Sequence, residues 1–149
     1  MISPQSVEDP LDLERQVCFA LSIASRNVVA VYRPLLEPMG LTHPQYLVML
    51  ALWGRAPLSV KELSRLLALE PATLSPLLKR LEAIGYVTRS RAAADERQLA
   101  VALTEEGAAL RERALAIPPA VVERLGMSPD ELRDLHAVLT RVIAATERT

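Results

Sequence analysis

Apolar residues recur at helical spacing along most of this chain, and the period changes to two in one segment. In that segment, residues 86–89 and 98–103 are typical of two short strands, separated by a small, charged loop over residues 90–97. Only 3% of the residues are aromatic, and Leu, Ala, Glu and Arg dominate, which favours helices over a β-sandwich. The sequence therefore predicts a mainly α fold with a small β-hairpin.

Capping residues and prolines divide the helical part of the chain. Asp9 and Pro10 suit the start of a long helix, which Pro34 is expected to kink or end. Gly54 is expected to stop the second helix, and the prolines at 118–119 to break the helix after the hairpin. We expect helices to start near Asp9, Thr42, Ser59, Pro71, Thr104 and Ser128.

The central elements follow in an informative order. A short helix, a tight turn, a second helix and a two-stranded hairpin are the sequence plan of a winged helix-turn-helix, whose second helix enters the major groove of DNA. With 149 residues the chain has the size of one domain. We expect residues 41–103 to form the winged helix-turn-helix region, and the apolar helices within residues 10–40 and 104–149 to dimerise.

Charge is distributed unevenly along the chain. The formal net charge is −1, yet eight basic residues accompany five acidic ones between Arg55 and Arg97, while the segments on either side each carry −2. A basic centre suits a surface that contacts phosphate. The polar, acidic N-terminus is unlike a signal peptide, and no run approaches the roughly 20 apolar residues of a membrane span. We therefore expect a cytoplasmic protein without a membrane partner.

Polar side chains in the middle of the chain are candidates for DNA contact. The exposed face of the second helix is expected to offer hydrogen-bonding groups to bases and phosphates, while its leucines pack inward. The hairpin loop is expected to act as a basic finger in a minor groove, with Asp95 orienting Arg97 through a bidentate ion pair. The predicted DNA-binding residues are Thr73, Ser75, Lys79, Arg80, Arg89, Arg91, Asp95 and Arg97.

Several stretches of the chain carry a family resemblance. They are Leu-Ser at 63–64, LEAIGYVTR at 81–89, DER at 95–97 and LTEEG at 103–107. With them, nearly the whole chain resembles the MarR family of bacterial transcriptional regulators. The resemblance implies a homodimer with interlocked N- and C-terminal helices, which places two winged units on a pseudo-palindromic operator in double-stranded DNA.

The N-terminal third is similar to one branch of that family, the OhrR repressors that sense organic hydroperoxides. The matching stretches include VCFAL at 17–21, YRPLL at 32–36 and PQYLVMLALW at 44–53. The resemblance implies that Cys18, the only cysteine, is a peroxide sensor held as a thiolate by tyrosine hydroxyls, and that its oxidation releases DNA. The residues expected to support the sensor are Tyr32, His43, Ser22 and Tyr46.

Geometry limits how Cys18 meets its supporting tyrosine. Tyr32 lies fourteen residues further along one predicted helix, or roughly 21 Å at 1.5 Å per residue. It therefore cannot reach the Cys18 of its own chain. The pair meets only if a second copy of the helix crosses antiparallel, so we expect the sensor to be built across the dimer interface. Because Cys18 would lie about two turns from Asp9, we expect the helix dipole to contribute little there.

Two positions depart from the OhrR pattern. His43 stands where a tyrosine is usual, and its imidazole would donate a hydrogen bond or, when protonated, favour the thiolate; it also suits an ordinary helix start before Pro44. Ser22 stands where some relatives have a tyrosine. Because the chain has no second cysteine, we expect oxidised Cys18 to condense with a low-molecular-weight thiol or to oxidise further.

Other functions stay open on the sequence alone. One alternative is a repressor released by a small hydrophobic or phenolic ligand, with Cys18 as a structural thiol. Another is a thiol peroxidase, which the lack of a resolving cysteine disfavours, as does the lack of a glycine-rich phosphate loop or a catalytic triad pattern. His43 and His136 are far apart in sequence, which argues against a metal site. We expect no enzyme, no metal and no cofactor.

Overall fold

The structure of the protein is a computed structural model that describes residues 9–92 and 95–147, with the backbone alone at positions 92 and 95–98. The chain divides into two compact units, the first ending at Glu112 and the second beginning at Arg113. The helices are α1 (Val17–Leu36), α2 (His43–Arg55), α3 (Val60–Leu67), α4 (Pro71–Ile84), α5 (Glu105–Ala114), α6 (Ile117–Leu125) and α7 (Pro129–Thr146), and the strands are β1 (Leu58–Ser59), β2 (Val87–Ala92) and β3 (Asp95–Leu103). The predicted mainly helical fold with a small sheet is confirmed.

Helix α1 begins later than the sequence predicted. Asp12 caps a short 3-10 turn, and the α-helix itself starts at Val17, with the extended backbone of Gln16 as its N-cap. The Gln16 side chain donates hydrogen bonds to the carbonyls of Pro10 and Asp12, at 2.7 and 3.0 Å, which holds the preceding segment in a separate turn. Cys18 therefore lies in the first turn of α1.

The other end of α1 leads directly into the core of the first unit. The helix continues through Pro34 to Leu36, so this proline does not end it. Gly40, with a φ of 71°, then reverses the chain into α2, which Thr42 and Gln45 cap reciprocally and which ends at Arg55, one residue beyond the predicted stop. The largest fully buried side chains are Leu36, Val48, Met49, Leu52, Leu58, Leu63, Leu74, Leu78, Leu81, Val87 and Val101.

Helices α3 and α4 form the predicted helix-turn-helix. Ser59 caps α3, since its hydroxyl oxygen accepts a hydrogen bond from the amide of Glu62 at 3.0 Å. The turn between the helices places Ala68 in the left-handed region, with a φ of 53°, and the Ser64 hydroxyl donates to the carbonyl of Leu69. Gly85, with a φ of 101°, ends α4 where the sequence predicted.

The sheet has three antiparallel strands in the order β1–β3–β2, and the sequence predicted only two of them. The predicted loop over residues 90–97 was also too long, because β2 extends to Ala92 and β3 begins at Asp95. Backbone pairing, not side-chain polarity, sets the length of a strand. The charged residues at the outer ends of β2 and β3 were therefore wrongly predicted to form a loop. In the register, Val101 of β3 lies between Leu58 of β1 and Arg89 of β2.

The part of the chain described after the sheet forms three helices, α5, α6 and α7, whereas the sequence predicted two. The prolines at 118–119 do not simply break a helix, because they lie in the first turn of α6, where a missing amide donor costs no hydrogen bond. Ser128 and Glu131 cap α7 reciprocally, at the predicted position. One face of α7 exposes Leu135, Val138, Val142 and Ile143. Among the described residues, no helix is both long and apolar enough to cross a membrane.

Gly107 in α5 leaves less room for a side chain than any other glycine of the chain. A Cβ atom at this position would lie 2.0 Å from the carbonyl oxygen of Tyr86. The Gly107 carbonyl also accepts a hydrogen bond from the Trp53 indole at 2.9 Å, and its amide donates to the Thr104 hydroxyl at 3.0 Å. This residue therefore joins α2 and α5 to the start of β2.

We expect Gly107→Ala to lower the free energy of unfolding by about 2 kcal/mol, because the new methyl group must displace backbone. Gly54→Ala is the matched control: it also lies in a helix, but its Cβ would meet nothing within 4 Å. That substitution should raise the free energy of unfolding by about 0.5–1 kcal/mol. Urea unfolding of both variants measures the difference, and equal effects would contradict the assigned contact.

Candidate sensor site and nucleic-acid interface

Cys18 is exposed at the N-terminal end of α1. It is the second residue of the helix, which has no acidic residue in its first turn and no side-chain hydrogen bond from its N-cap. The first amides of a helix lack carbonyl partners within it, and their partial positive charge stabilises a nearby anion. The prediction that Cys18 lies about two turns into the helix was wrong. An open groove of about 510 Å³ next to the thiol is lined by Asp9, Pro10, Arg15, Gln16 and Val17.

Three of the predicted supporting residues lie together at the opposite end of α1. The ring centroids of Tyr32 and His43 are 4.9 Å apart in an edge-to-face arrangement, and those of Tyr32 and Tyr46 are 5.7 Å apart. Trp53 extends the group, with its ring 6.5 Å from that of Tyr46. We call Tyr32, His43, Tyr46 and Trp53 the aromatic cluster. Tyr46 is buried at its centre, whereas Tyr32 and His43 are half-buried at its edge.

Burial sets the protonation of the aromatic cluster. It raises the pKa of Tyr32 above its ordinary value, so this hydroxyl keeps its proton and remains a donor at neutral pH. Burial raises the pKa of Tyr46 as well, with a further contribution from Tyr32. It lowers the pKa of His43, so the imidazole is neutral at pH 7. His43 can therefore offer a hydrogen bond there but not the positive charge that the sequence analysis considered.

Cys18 and Ser22 lie at the N-terminal end of α1, away from the aromatic cluster. Both are exposed, and Ser22 follows Cys18 by one helical turn. Because α1 is one continuous helix, the roughly 21 Å between the positions of Cys18 and Tyr32 also holds in the folded chain. Within one chain the structure thus brings together Tyr32, His43 and Tyr46, and it leaves Cys18 and Ser22 apart from them.

Helix α4 presents a polar face of the kind predicted for DNA contact. Thr73, Ser75, Lys79 and Arg80 are all exposed, while Leu74, Leu78 and Leu81 are fully buried on the opposite side. Ser75 and Lys79 form one row along the helix, and Thr73 and Arg80 form a second. The helix therefore has two rows of hydrogen-bonding groups and an apolar base that fixes them to the core.

The wing, defined here as β2 and β3, differs from the predicted basic finger. Arg91 belongs to β2 and not to the predicted loop, and Arg89, at the end of the first predicted strand, is only 19% exposed in its side chain. Its Nε donates a hydrogen bond to Oε2 of Glu82 on α4, at 3.1 Å. Arg91 is exposed further along the strand. The side chains of Asp95 and Arg97 lie outside the described residues, so their predicted ion pair stays a prediction.

Comparison with known proteins assigns the family. The family model described as transcriptional regulator SarA/Rot matches residues 30–113. The organic hydroperoxide resistance transcriptional regulator of Bacillus subtilis is 41% identical over 131 residues, which cover 88% of this chain and 89% of that protein. The chain belongs to the MarR-like family of winged-helix transcriptional regulators.

Other members of this MarR-like family agree with the assignment. The regulator TtmR of Methylorubrum extorquens is 44% identical over 135 residues, 91% of this chain and 69% of that protein. A structure of reduced AbfR bound to DNA has a TM-score of 0.75 and 34% identity, with 91% of this chain and 95% of that chain covered. AbfR of Staphylococcus epidermidis alone gives a TM-score of 0.77 and 33% identity, with 92% and 95% covered. The resemblance predicted from the sequence motifs is confirmed.

Two contacts near the candidate surfaces of this MarR-like regulator were not predicted from the sequence. One is the ion pair between Glu82 and Arg89, which alternation along β2 predicts in principle, since Val87 faces inward and Arg89 is two residues later. The other is the hydrogen bond from Trp53 to Gly107, which connects the aromatic cluster to α5. No sequence signal identifies that second contact, because it joins residues 54 positions apart.

Proposed function

We propose that the protein is a homodimeric, DNA-binding repressor that releases its operator when an organic hydroperoxide oxidises Cys18. The observation that carries the proposal is that the only cysteine is exposed in the first turn of α1, in a chain 41% identical to an organic hydroperoxide resistance regulator. A repressor with this role acts on chromosomal DNA in the cytoplasm. It reacts stoichiometrically, so it is not an enzyme.

In the proposed dimer, residues 10–40 and 104–149 pack against a second copy, and residues 41–103 of each chain bind DNA. Exposed apolar side chains support this division, since Leu13 and Val17 precede and begin α1, and α7 has an uncovered apolar face. An antiparallel crossing of two α1 helices would bring Cys18 of one chain to Tyr32 of the other. The protonated Tyr32 hydroxyl and the neutral imidazole of His43 then serve as hydrogen-bond donors to the thiolate.

The chemistry is a two-electron oxidation of sulfur. The Cys18 thiolate attacks the terminal oxygen of the hydroperoxide, an S–O bond forms, the O–O bond breaks, and the alkoxide that leaves takes up a proton from water to become the alcohol. The product is a sulfenic acid. A low-molecular-weight thiol then attacks the sulfenic sulfur, which forms a mixed disulfide and releases water.

In the proposed dimer, oxidation removes the negative charge of the Cys18 thiolate and adds bulk beside the aromatic cluster of the other chain. The contacts available to transmit this change run from Tyr46 to Trp53 and from the Trp53 indole to Gly107, which packs on Tyr86 at the base of β2. We propose that the resulting shift rotates the winged units and breaks their spacing over successive major grooves.

The proposal is tested with DNA that the wild-type protein selects from a random duplex library. We expect cumene hydroperoxide to weaken binding on the order of 100-fold, a typical upper range for coupling between sites. Intact-mass spectra should show Cys18 with one added oxygen, or with a thiol adduct when a small thiol is present, and a reductant should restore binding to the thiol adduct. Release of DNA with an unmodified Cys18 would refute the redox mechanism.

A groove at the C-terminal end of α1 favours a second candidate, a repressor released by a small apolar ligand. The groove encloses about 360 Å³, and its lining is mainly apolar with a few polar groups, as in many small-molecule sites. Its lining residues are Val29, Arg33, Glu37, Leu41, Thr42, His43 and Pro44. A phenolic ligand that releases DNA equally well from Cys18→Ser and wild type would support this second function.

A further inference from the structure

The ion pair between Glu82 and Arg89 joins the two elements that the proposed function assigns to DNA. Glu82 lies on α4, three residues after Lys79 and on the same side of the helix as Ser75 and Lys79. Arg89 lies on β2, opposite Val101 of β3. The bond from Arg89 Nε to Glu82 Oε2 is thus a side-chain tie between the helix and the wing.

The position of Arg89 in the sheet separates it from a direct DNA-contacting residue. It shares a cross-strand row with Val101 and Leu58, which are fully buried, so its side chain lies on the inner face of the sheet. Its 19% exposure agrees with that placement. An arginine directed inward, with its guanidinium plane fixed through Nε, is arranged to hold a neighbouring element.

Glu82 is unusual for a surface that faces DNA, because a carboxylate repels phosphate. Its side chain is 43% exposed and borders the row of Ser75 and Lys79. If only its charge mattered, removing Glu82 would strengthen DNA binding. If it holds the wing, removing it would weaken binding, because the wing would have to be ordered on the DNA at an entropic cost.

We infer that Glu82 is a positioning residue for DNA binding, which acts through Arg89 to fix the wing relative to α4. It orders the wing before binding, so that groove contacts of the wing and major-groove contacts of α4 form together. The inference rests on the DNA-binding part of the proposed function. It requires nothing of Cys18.

The direction in which one substitution changes DNA affinity tests this inference. Glu82→Gln should weaken binding to the selected duplex by roughly threefold to tenfold, since each dimer loses two partly exposed ion pairs. Glu70→Gln is the matched control, because Glu70 is an exposed carboxylate at the N-cap of α4 without a side-chain capping bond. This control should bind as well as wild type or better. A Glu82→Gln protein that binds at least as tightly as the control would overturn the inference.

Three further measurements separate positioning from general structural damage. In a double-mutant cycle, Glu82→Gln should add little to the effect of Arg89→Gln, whereas additive effects would show that the two residues act independently. Hydroxyl-radical footprints should lose protection where the wing contacts DNA and keep it under α4. On a duplex cut back to exclude that wing contact, Glu82→Gln and wild type should bind equally, and a persistent difference would contradict the inference.

These outcomes are distinct from failure of the proposed function itself. If the wild-type protein selects no DNA from the library, DNA binding fails and the inference fails with it. If wild type binds and Glu82→Gln behaves like Glu70→Gln, only the role of Glu82 is wrong. Thermal unfolding of each variant confirms that the fold is intact before binding is measured.

Discussion

Replacing Cys18 with serine should abolish the response to organic hydroperoxide and leave DNA binding unchanged. Wild type is expected to lose on the order of 100-fold in affinity after oxidation, whereas Cys18→Ser should change less than about twofold. Serine has nearly the same shape as cysteine and is well tolerated near the start of a helix. Because Cys18 is exposed, the substitution does not open a cavity in the core. The hydroxyl is a far weaker nucleophile than a thiolate, so the first chemical step is lost.

The measurement is fluorescence anisotropy on the selected duplex before and after cumene hydroperoxide. Ser25→Ala is the control, because Ser25 is exposed two turns further along the same helix and is not among the predicted sensor residues. It should bind DNA and release it as wild type does. If Cys18→Ser still releases DNA on treatment, another residue carries the oxidation. If Cys18→Ser no longer binds the operator even before peroxide treatment, the thiol has a structural role in DNA binding.

Tyr32 explains why the proposed sensor requires a second copy of the chain. Its hydroxyl keeps its proton because burial raises its pKa, and its ring lies at the edge of the aromatic cluster. Yet one straight helix separates it from Cys18 by roughly 21 Å. A donor and a thiolate held so far apart in one protomer form a working site only across a symmetric interface. Dimerisation and sensing are therefore parts of the same proposal.

Local signals in the sequence predicted some boundaries correctly and others wrongly. Pro71 and Gly85 bracket α4 as expected, because both act through their own backbone geometry. Asp9 also carried a local signal for a helix start, but the Gln16 side chain ties that segment into a separate turn. That contact, between residues six positions apart, outweighs the cap, and Cys18 consequently lies in the first turn of α1.

The extent of the wing was also mispredicted because pairing with another segment outweighs the local composition. The sequence placed Arg89 at the end of the first predicted strand and Arg91 in the charged loop, but pairing with β3 extends β2 beyond both. The tertiary contact of Arg89 with Glu82 then turns the first arginine toward α4. Residue types predicted where DNA binds, and this stays a prediction, whereas the role of each arginine depends on register and on a neighbour from another element.

Removing the two basic residues of α4 should cause the largest loss of DNA affinity. Lys79 and Arg80 are exposed and follow the apolar base of the helix, so Lys79→Gln with Arg80→Gln changes charge without opening the core. If each side chain neutralises one phosphate, a dimer loses four contacts. The slope of log K against log salt should then fall by about 3.6, and affinity at about 0.1 M salt should drop on the order of 10³-fold.

The salt dependence makes this result specific to phosphate contact. A variant that merely misfolds loses affinity at every salt concentration and loses its thermal transition, whereas lost phosphate contacts flatten the salt slope and leave the fold intact. Arg26→Gln is the control, because Arg26 is exposed on α1 and its Nε donates to the Ser22 carbonyl at 3.4 Å. It should leave the slope unchanged. An unchanged slope in the Lys79 and Arg80 variant would mean that α4 does not face the phosphates, and the recognition surface would have to be sought on another element.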